Sequence, residues 1–418
     1  MSEGIFPIRD RVDFASAVHD GHGTITMNGE GTQSLTVSLL NTDSFEAMGK
    51  EWNQLLETSA AKTLFLTWEW TFTWWQVYGS AYQLFLLKVQ DKTGKCVGLA
   101  PFKIARRYTL GIIPHRQVEF IGYCRLNLPD YLDLIFAPDY QEQGMLAVWA
   151  YLMDHKHLWD TLYFSDIPTA SGTHSGLSLL AKEVGLVTEM TTGTPCPYLP
   201  LTGSWQAYLK SLSPNARYNI QRKEKRLVKS YPLSFEEISA HAHIQEALED
   251  LFHLHKTVWN AKGEKGSFDR HPLNKPFHRR LVDRLSELGW VMIYNLKIDG
   301  KPAALLYAYT YDNRVFLYQM GRELKWTEWG IGQVLMQFIL QSLFKKGVSE
   351  FDFLRGTESY KYHWTKLERV NMTLAVWNMT AWGKIVCMIS CVDRWGRRLL
   401  SPIRRSVKEA FLKIRTRS

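Results

Sequence analysis

VFLYQMGRELKWTEWGIGQVLMQFILQSLFKKG, residues 315–347, and EFDFLRGTESYKYHW, residues 350–364, carry the reading of the fold. The first opens as an apolar strand, Val315 to Met320, and passes through a loop holding Gly321 and Gly330. It then becomes a helix from Ile331 to Lys346 with apolar residues at helical spacing. A second strand follows at Glu350 to Leu354. Strand, glycine loop, helix, strand is a crossover that joins parallel strands, right-handed by default. A helix entered through such a loop presents N–H groups at the positive end of its dipole. Gly330, Ile331, Gly332 and Gln333 are therefore candidates to cradle a pyrophosphate. The plainer alternative is that the two glycines only shape a tight entry into a core helix.

Upstream, VMIYNLKIDGKPAALLYAYTY (291–311) reads as a hairpin turned at Asp299-Gly300. LFLLKVQDKTGKCVGLAPFKI (84–104) has the same grammar, and a Trp-bearing helical segment precedes each hairpin. Two copies of one α/β unit explain the repetition. The join falls in TTGTPCPYLPLTGS (191–204), where Pro, Gly and Thr cluster. The expected division is a flexible extension over 1–34, units over 35–198 and 199–378, and a basic amphipathic tail over 379–418. In the second unit helices are expected at Ser204 to Leu212, Asn215 to Lys229 (capped by Ser213, with Pro214 in its first turn), His243 to Trp259 and Pro276 to Leu288. The fold class is α+β.

At 418 residues and 45% hydrophobic, the chain can bury a large core. Five cysteines without a C-x-x-C argue against a disulfide scaffold and a zinc ribbon, and the first 30 residues lack the apolar core of a signal peptide, so a cytoplasmic protein is expected. No His, Cys or carboxylate spacing repeats a known ligand set, and no metal is expected. The net charge of +9 is unevenly placed: residues 379–418 hold ten Lys or Arg against Asp393 and Glu409, leaving 40 basic and 39 acidic groups elsewhere. The body has no field that would draw nucleic acid. In the tail, Leu399, Leu400, Ile403, Val407, Phe411 and Ile414 form one helical stripe, with Arg397, Arg398, Arg404, Arg405 and Lys408 on the remaining surface. Such a helix either lies on an anionic inner-membrane surface or docks on the body.

Candidate chemistry concentrates in 350–364. Asp352 and Arg355 sit at a strand end, where buried charges must be paired. Glu358, Tyr360, Lys361, His363 and Trp364 follow within a few residues. General acid–base chemistry needs one group that takes a proton from an acceptor and another that returns a proton to a leaving group. Glu358 or His255 is the candidate base and Tyr360 the candidate acid. His255 also fits as a structural histidine on the stripe Leu251, Leu254, Val258. In the helix NARYNIQRKEKRLVK, Arg217 and Arg222 lie among closely spaced basic residues, a face that is either solvated or turned to an anionic group.

FDFLRG and YKYHW, with SLSPNARYNIQRKEKRL, LHKTVWNAKGEKGSF, IDGKPAALLYAY and LYQMG, resemble the GNAT-superfamily acetyltransferase domain of bacterial proteins associated with cellulose and other exopolysaccharide biosynthesis, the CelD-like group. The resemblance spans roughly residues 45–375. It implies tandem GNAT-like (acyl-CoA N-acyltransferase) domains, distantly FemAB-like, each a mixed sheet flanked by helices. The donor, acetyl-CoA or a longer acyl-CoA, is expected in the second unit. The implied acceptor is an amine or hydroxyl on a small-molecule, glycan or lipid-linked precursor of the envelope, with Trp259 and Trp364 beside it. The segment Glu328-Trp329-Gly330-Ile331-Gly332 lacks the leading Gln or Arg of the typical GNAT phosphate loop. A FemAB-type ligase using aminoacyl-tRNA and a non-catalytic adaptor of the same fold are the alternatives.

Overall fold

The structure, a computed structural model, describes residues 17–20, 24–27, 34–124 and 129–392. Two mixed sheets organise it. In the first, Leu35–Leu39, Gln83–Asp91, Cys96–Thr109 and Ile113–Phe120 run antiparallel in order, and Thr161–Pro168 joins the last in parallel. In the second, Leu233–Ile238, Val291–Ile298, Lys301–Tyr311 and Arg314–Arg322 repeat the antiparallel run and Glu350–Asp352 adds the parallel strand. The crossovers are the helices Gln141–Asp154 and Ile331–Lys346. The fold is α+β, two GNAT-like units in tandem.

Turn chemistry distinguishes the two hairpins. Asp299 and Gly300 both take positive φ, 50° and 72°, in a two-residue turn whose twist matches the strands it joins. The first hairpin turns through a longer loop, where the Asp91 carboxylate accepts from the N–H groups of Thr93 at 2.8 Å and Lys95 at 3.1 Å. Ser213 caps Pro214–Ser230 as its sequence suggests, its hydroxyl accepting from the Ala216 N–H at 3.3 Å.

The sheets exchange strands. Cys196–Pro200, at the join between the units, lies in the second sheet beside Glu350–Asp352, while Asn371–Trp377, at the end of the second unit, returns to the first sheet between Thr161–Pro168 and Val187–Thr192. The boundaries expected at 198/199 and 378 therefore do not separate the sheets. Hydrophobic periodicity marks a strand but says nothing about which sheet accepts it. One core continues across the units: helices His241–Ala261 and Asn274–Glu287 bury apolar residues in the same cluster as the first sheet. Trp70 packs edge-on against Phe277 and Tyr309, and the Tyr78 hydroxyl donates to Asn274 Oδ1 at 2.9 Å.

Two further expectations are corrected. Part of the anticipated extension is strand: Ala17–Asp20 and Thr24–Met27 pair with each other, and the latter pairs with Leu35–Leu39. Gly321 lies within a strand rather than a loop. A Cβ there would come within 2.9 Å of the His255 N atom, so glycine lets the helix backbone approach. Residues 381–392 form a helix whose Val386 is buried against Ala375 and Trp377. The stripe expected over Leu399 to Ile414, with its arginines, lies outside the described residues. Among the described residues no helix is long and apolar enough to cross a membrane.

Candidate active site

Arg314–Arg322 and Glu350–Asp352 pair over only three positions, from Arg314 with Glu350 to Phe316 with Asp352. Beyond them the strands part. Leu317 to Met320 on one side and Phe353 to Arg355 on the other line a cavity of about 620 Å³. A bulge at Tyr318, the extra residue between the pairs Ala308–Leu317 and Tyr307–Gln319, breaks the ladder on the cleft strand.

One end of the cleft is the entry to the helix Ile331–Lys346. Gly330 adopts the left-handed conformation, φ 67°. Its N–H donates to Thr327 O at 3.0 Å, and that of Gln333 to Gly330 O at 2.9 Å. Of four expected free donors two are thus used internally. Among the described residues the N–H groups of Ile331 and Gly332 have no internal acceptor. Lys223, from the basic helix Pro214–Ser230, reaches this end: its Nζ donates to Gln333 Oε1 at 2.6 Å, and a Cβ on Gly330 would meet the Lys223 side chain at 2.7 Å. Two N–H groups at a helix N-terminus beside an ammonium are suited to an anion. Lys223 supplies a charge that the Glu328-Trp329-Gly330 loop does not carry itself.

Arg355, Glu358, Tyr360, Lys361, Trp259 and Trp364 line the rest of the cleft. Lys361 is buried, donating to the carbonyls of Leu354 at 3.1 Å and Arg355 at 2.7 Å and pairing with the Glu358 carboxylate at 3.0 Å. It anchors the loop. Glu358 is mostly exposed and Tyr360 partly so, both open to a bound molecule. His255 does not line the cleft: it is buried, and its Nε2 accepts from Trp259 Nε1 at 2.9 Å, which orients the indole at the cleft wall. Burial pushes the His255 imidazole down to about 4, and that of neighbouring His278 down to about 3, so both are neutral at pH 7.

The strand end beneath this loop is held by the first unit. Asp352 and Arg355, expected to organise it together, do not pair with each other. Asp352 is fully buried and does not line the cavity. It accepts from the Tyr131 hydroxyl at 2.8 Å, the Leu354 N–H at 2.7 Å and Arg369 at 3.2 Å. Burial raises its carboxyl to about 7 against these contacts. Arg355 pairs instead with Asp130, and with Asp166 at 3.0 Å. Tyr131, Asp166 and Leu354 all carry positive φ, 59°, 63° and 54°. Three strained non-glycine residues around one guanidinium are what surrounding structure must over-determine, and such strain gathers at functional sites.

Arg217 and Arg222 stay outside the cleft, Arg222 exposed and stacked over Tyr218. Sequence reading passed over Lys223 as the cleft-facing member of its helix, and over Asp130, Tyr131, Asp166 and Gln319. A signal for Asp130 and Tyr131 was the run PDYLDL (129–134), which places carboxylates and a tyrosine in an apolar stretch.

Both sheets and their crossovers define the class as tandem GNAT-like. Residues 214–362 match the family model described as an acetyltransferase (GNAT) domain, and on that match the chain is an acyltransferase. Among solved structures it is similar to FemX, at 10% identity and a TM-score of 0.54, covering 80% of this chain and 96% of that one. It is similar also to a conserved protein of unknown function from Bacteroides thetaiotaomicron, at 10% identity and a TM-score of 0.50, covering 82% and 99%. A tandem GNAT protein from the clavulanic acid biosynthesis pathway matches with 13% identity and a TM-score of 0.43, covering 83% and 99%. The first two support the fold and, at such identity, nothing beyond it. No curated protein matches.

Proposed function

We propose that the cleft takes acetyl-CoA or a longer acyl-CoA and passes the acyl group to an amine or hydroxyl of an envelope or exopolysaccharide precursor, as in the CelD-like group. The observation that carries this reading is the gap between the parted strands, closed at one end by the free N–H groups of Ile331 and Gly332 beside Lys223. That end suits the donor's pyrophosphate. Arg322 and Lys262 line the same cavity and add positive charge for an anionic ligand.

The donor supplies an activated thioester. Glu358 removes the proton of the attacking amine or hydroxyl, held by its ion pair with Lys361. The bond from acyl carbon to acceptor forms as the bond to sulfur breaks, and Tyr360 donates the proton that the leaving thiolate takes up. Trp259, fixed by His255, offers an apolar face to the acceptor. Asp352 and Arg355 act at one remove, by holding the strand end in place.

Thermal shift with acetyl-CoA, longer acyl-CoAs and charged tRNA tests this reading. A donor at 100 times its Kd adds ~2.7 kcal/mol to stability, a rise of a few degrees in Tm. Acyl-CoA alone should produce it. A shift with charged tRNA alone would place the chain with the FemAB-type ligases, and no shift with any donor would favour the adaptor.

A further inference from the structure

The hairpin joining Cys96–Thr109 to Ile113–Phe120 ends in an apolar tip. Leu110 is 54% and Ile112 76% exposed. Leu110 also takes φ 54°, a conformation that side chains other than Asn and Asp rarely adopt, in a turn where glycine would be unstrained. Helix 381–392 lies against this hairpin: the Thr109 and Ser390 hydroxyls are 3.5 Å apart, Trp382 Nε1 donates to Pro114 O at 3.1 Å, and Ile113 packs on the Val386 cluster. While Val386 is buried, Trp382, Ile385, Met388 at 63% and Val392 at 61% stay exposed on the helix. The Thr109–Ser390 contact sets the two apolar groups side by side.

Charge surrounds them. A recess of about 900 Å³ beside Trp382 is lined by Arg106, His115, Arg116, Lys156, His157 and Asp160 among others. Asp160 engages Arg116 at 3.2 Å, while Arg106 and Lys156 pair with no carboxylate among the described residues. The segment running on from this helix brings residues 379–418 to ten basic against two acidic side chains. Two copies meeting at this face would bring like charges together. An anionic partner with an apolar interior satisfies both sets of groups.

We propose that the 108–112 tip and helix 381–392 form a surface that docks on an anionic lipid bilayer, apolar side chains entering the headgroup boundary and the basic rim meeting lipid phosphates. Docking is independent of the donor cleft and stands whether or not acyl-CoA binds there.

The full-length chain is floated with phosphatidylcholine vesicles, with and without phosphatidylglycerol. It should rise with the anionic vesicles at low salt, stay in solution with phosphatidylcholine alone, and be released at high salt. Ile112→Glu with Met388→Glu should weaken binding at least about tenfold at unchanged Tm, since both sites are exposed. Leu288→Glu, exposed on the second unit, should bind as wild type. On the unaltered chain, hydrogen exchange over 108–112 and 382–392 should slow when anionic vesicles are added, a measurement that does not depend on a variant folding. Absence of flotation, equal binding to neutral vesicles at all salt concentrations, or full binding by the double variant overturns the proposal. A dimer in sedimentation that the double variant dissolves, without vesicle binding, gives the surface to a second copy and overturns it equally.

Discussion

Burial sets the Asp352 carboxyl near 7, well above its value in an unfolded chain, so the folded state favours its protonated form. The linked stability is fully present below about pH 4 and is lost as pH rises through about 7, to a limit of ~4 kcal/mol. Asp352→Asn keeps an acceptor for Leu354 but cannot ionise. Its stability relative to wild type should therefore improve steadily from pH 4 to 7 in denaturant melts, and a difference independent of pH would show that Asp352 is ionised throughout. His255 and His278 act in the opposite sense. Their depressed values mean that stability is present above about 6.5 and lost as the pH falls towards 4 and 3, so His278→Leu should flatten the acid limb. Tyr360 is partly exposed, and its role is chemical in the proposed mechanism. Tyr360→Phe should reduce turnover about a hundredfold with little change in Tm. Full activity in that variant would remove Tyr360 as the acid.

At the scale of elements, the proposed donor end of the cleft draws on two helices that are distant in sequence. The Ile331–Lys346 helix presents two free N–H groups, and Pro214–Ser230 turns one of its basic residues, Lys223, towards them. Gly332→Asp places a carboxylate beside those donors and should abolish acyl-CoA binding in calorimetry. A Cβ at that position meets only the flexible Met320 sulfur, at 3.1 Å, so the variant should fold. Lys223→Met keeps the length of the side chain and removes the charge. It should weaken acyl-CoA about tenfold or more, the scale of one charge-assisted hydrogen bond, whereas Arg222→Met should have little effect. Equal affinity for wild type and both cleft variants would move the donor elsewhere.

Across the whole molecule, the strand exchange makes the two units one folding entity. Residues 199–378 alone would lack most of Cys196–Pro200 and would expose the aromatic face that Trp70 covers. Residues 35–198 alone would leave Thr161–Pro168 and Val187–Thr192 without the strand between them. Neither piece should give a cooperative melt, while the full chain should unfold in one main transition. Independent melting of separately expressed units would contradict the shared core.

The elements themselves were legible because their causes are local. The apolar run and Gly330 ahead of Ile331–Lys346, Ser213 before Pro214–Ser230, and Asp299-Gly300 in the second hairpin each state a backbone preference within a few residues. The gathering of Arg355, Glu358, Tyr360, Lys361 and Trp364 near the glycine loop followed from their closeness in the chain and from the crossover that turns both strand ends the same way. What the sequence could not disclose was partnership. Arg355 finds Asp130 and Asp166, Asp352 finds Tyr131 and Arg369, and Lys223 finds Gln333. Two strands also cross between the sheets. Periodicity reports how a segment folds on its own, but a buried charge or an open sheet edge is satisfied by whatever group the closed fold brings within hydrogen-bonding distance, and only the tertiary structure decides which group that is.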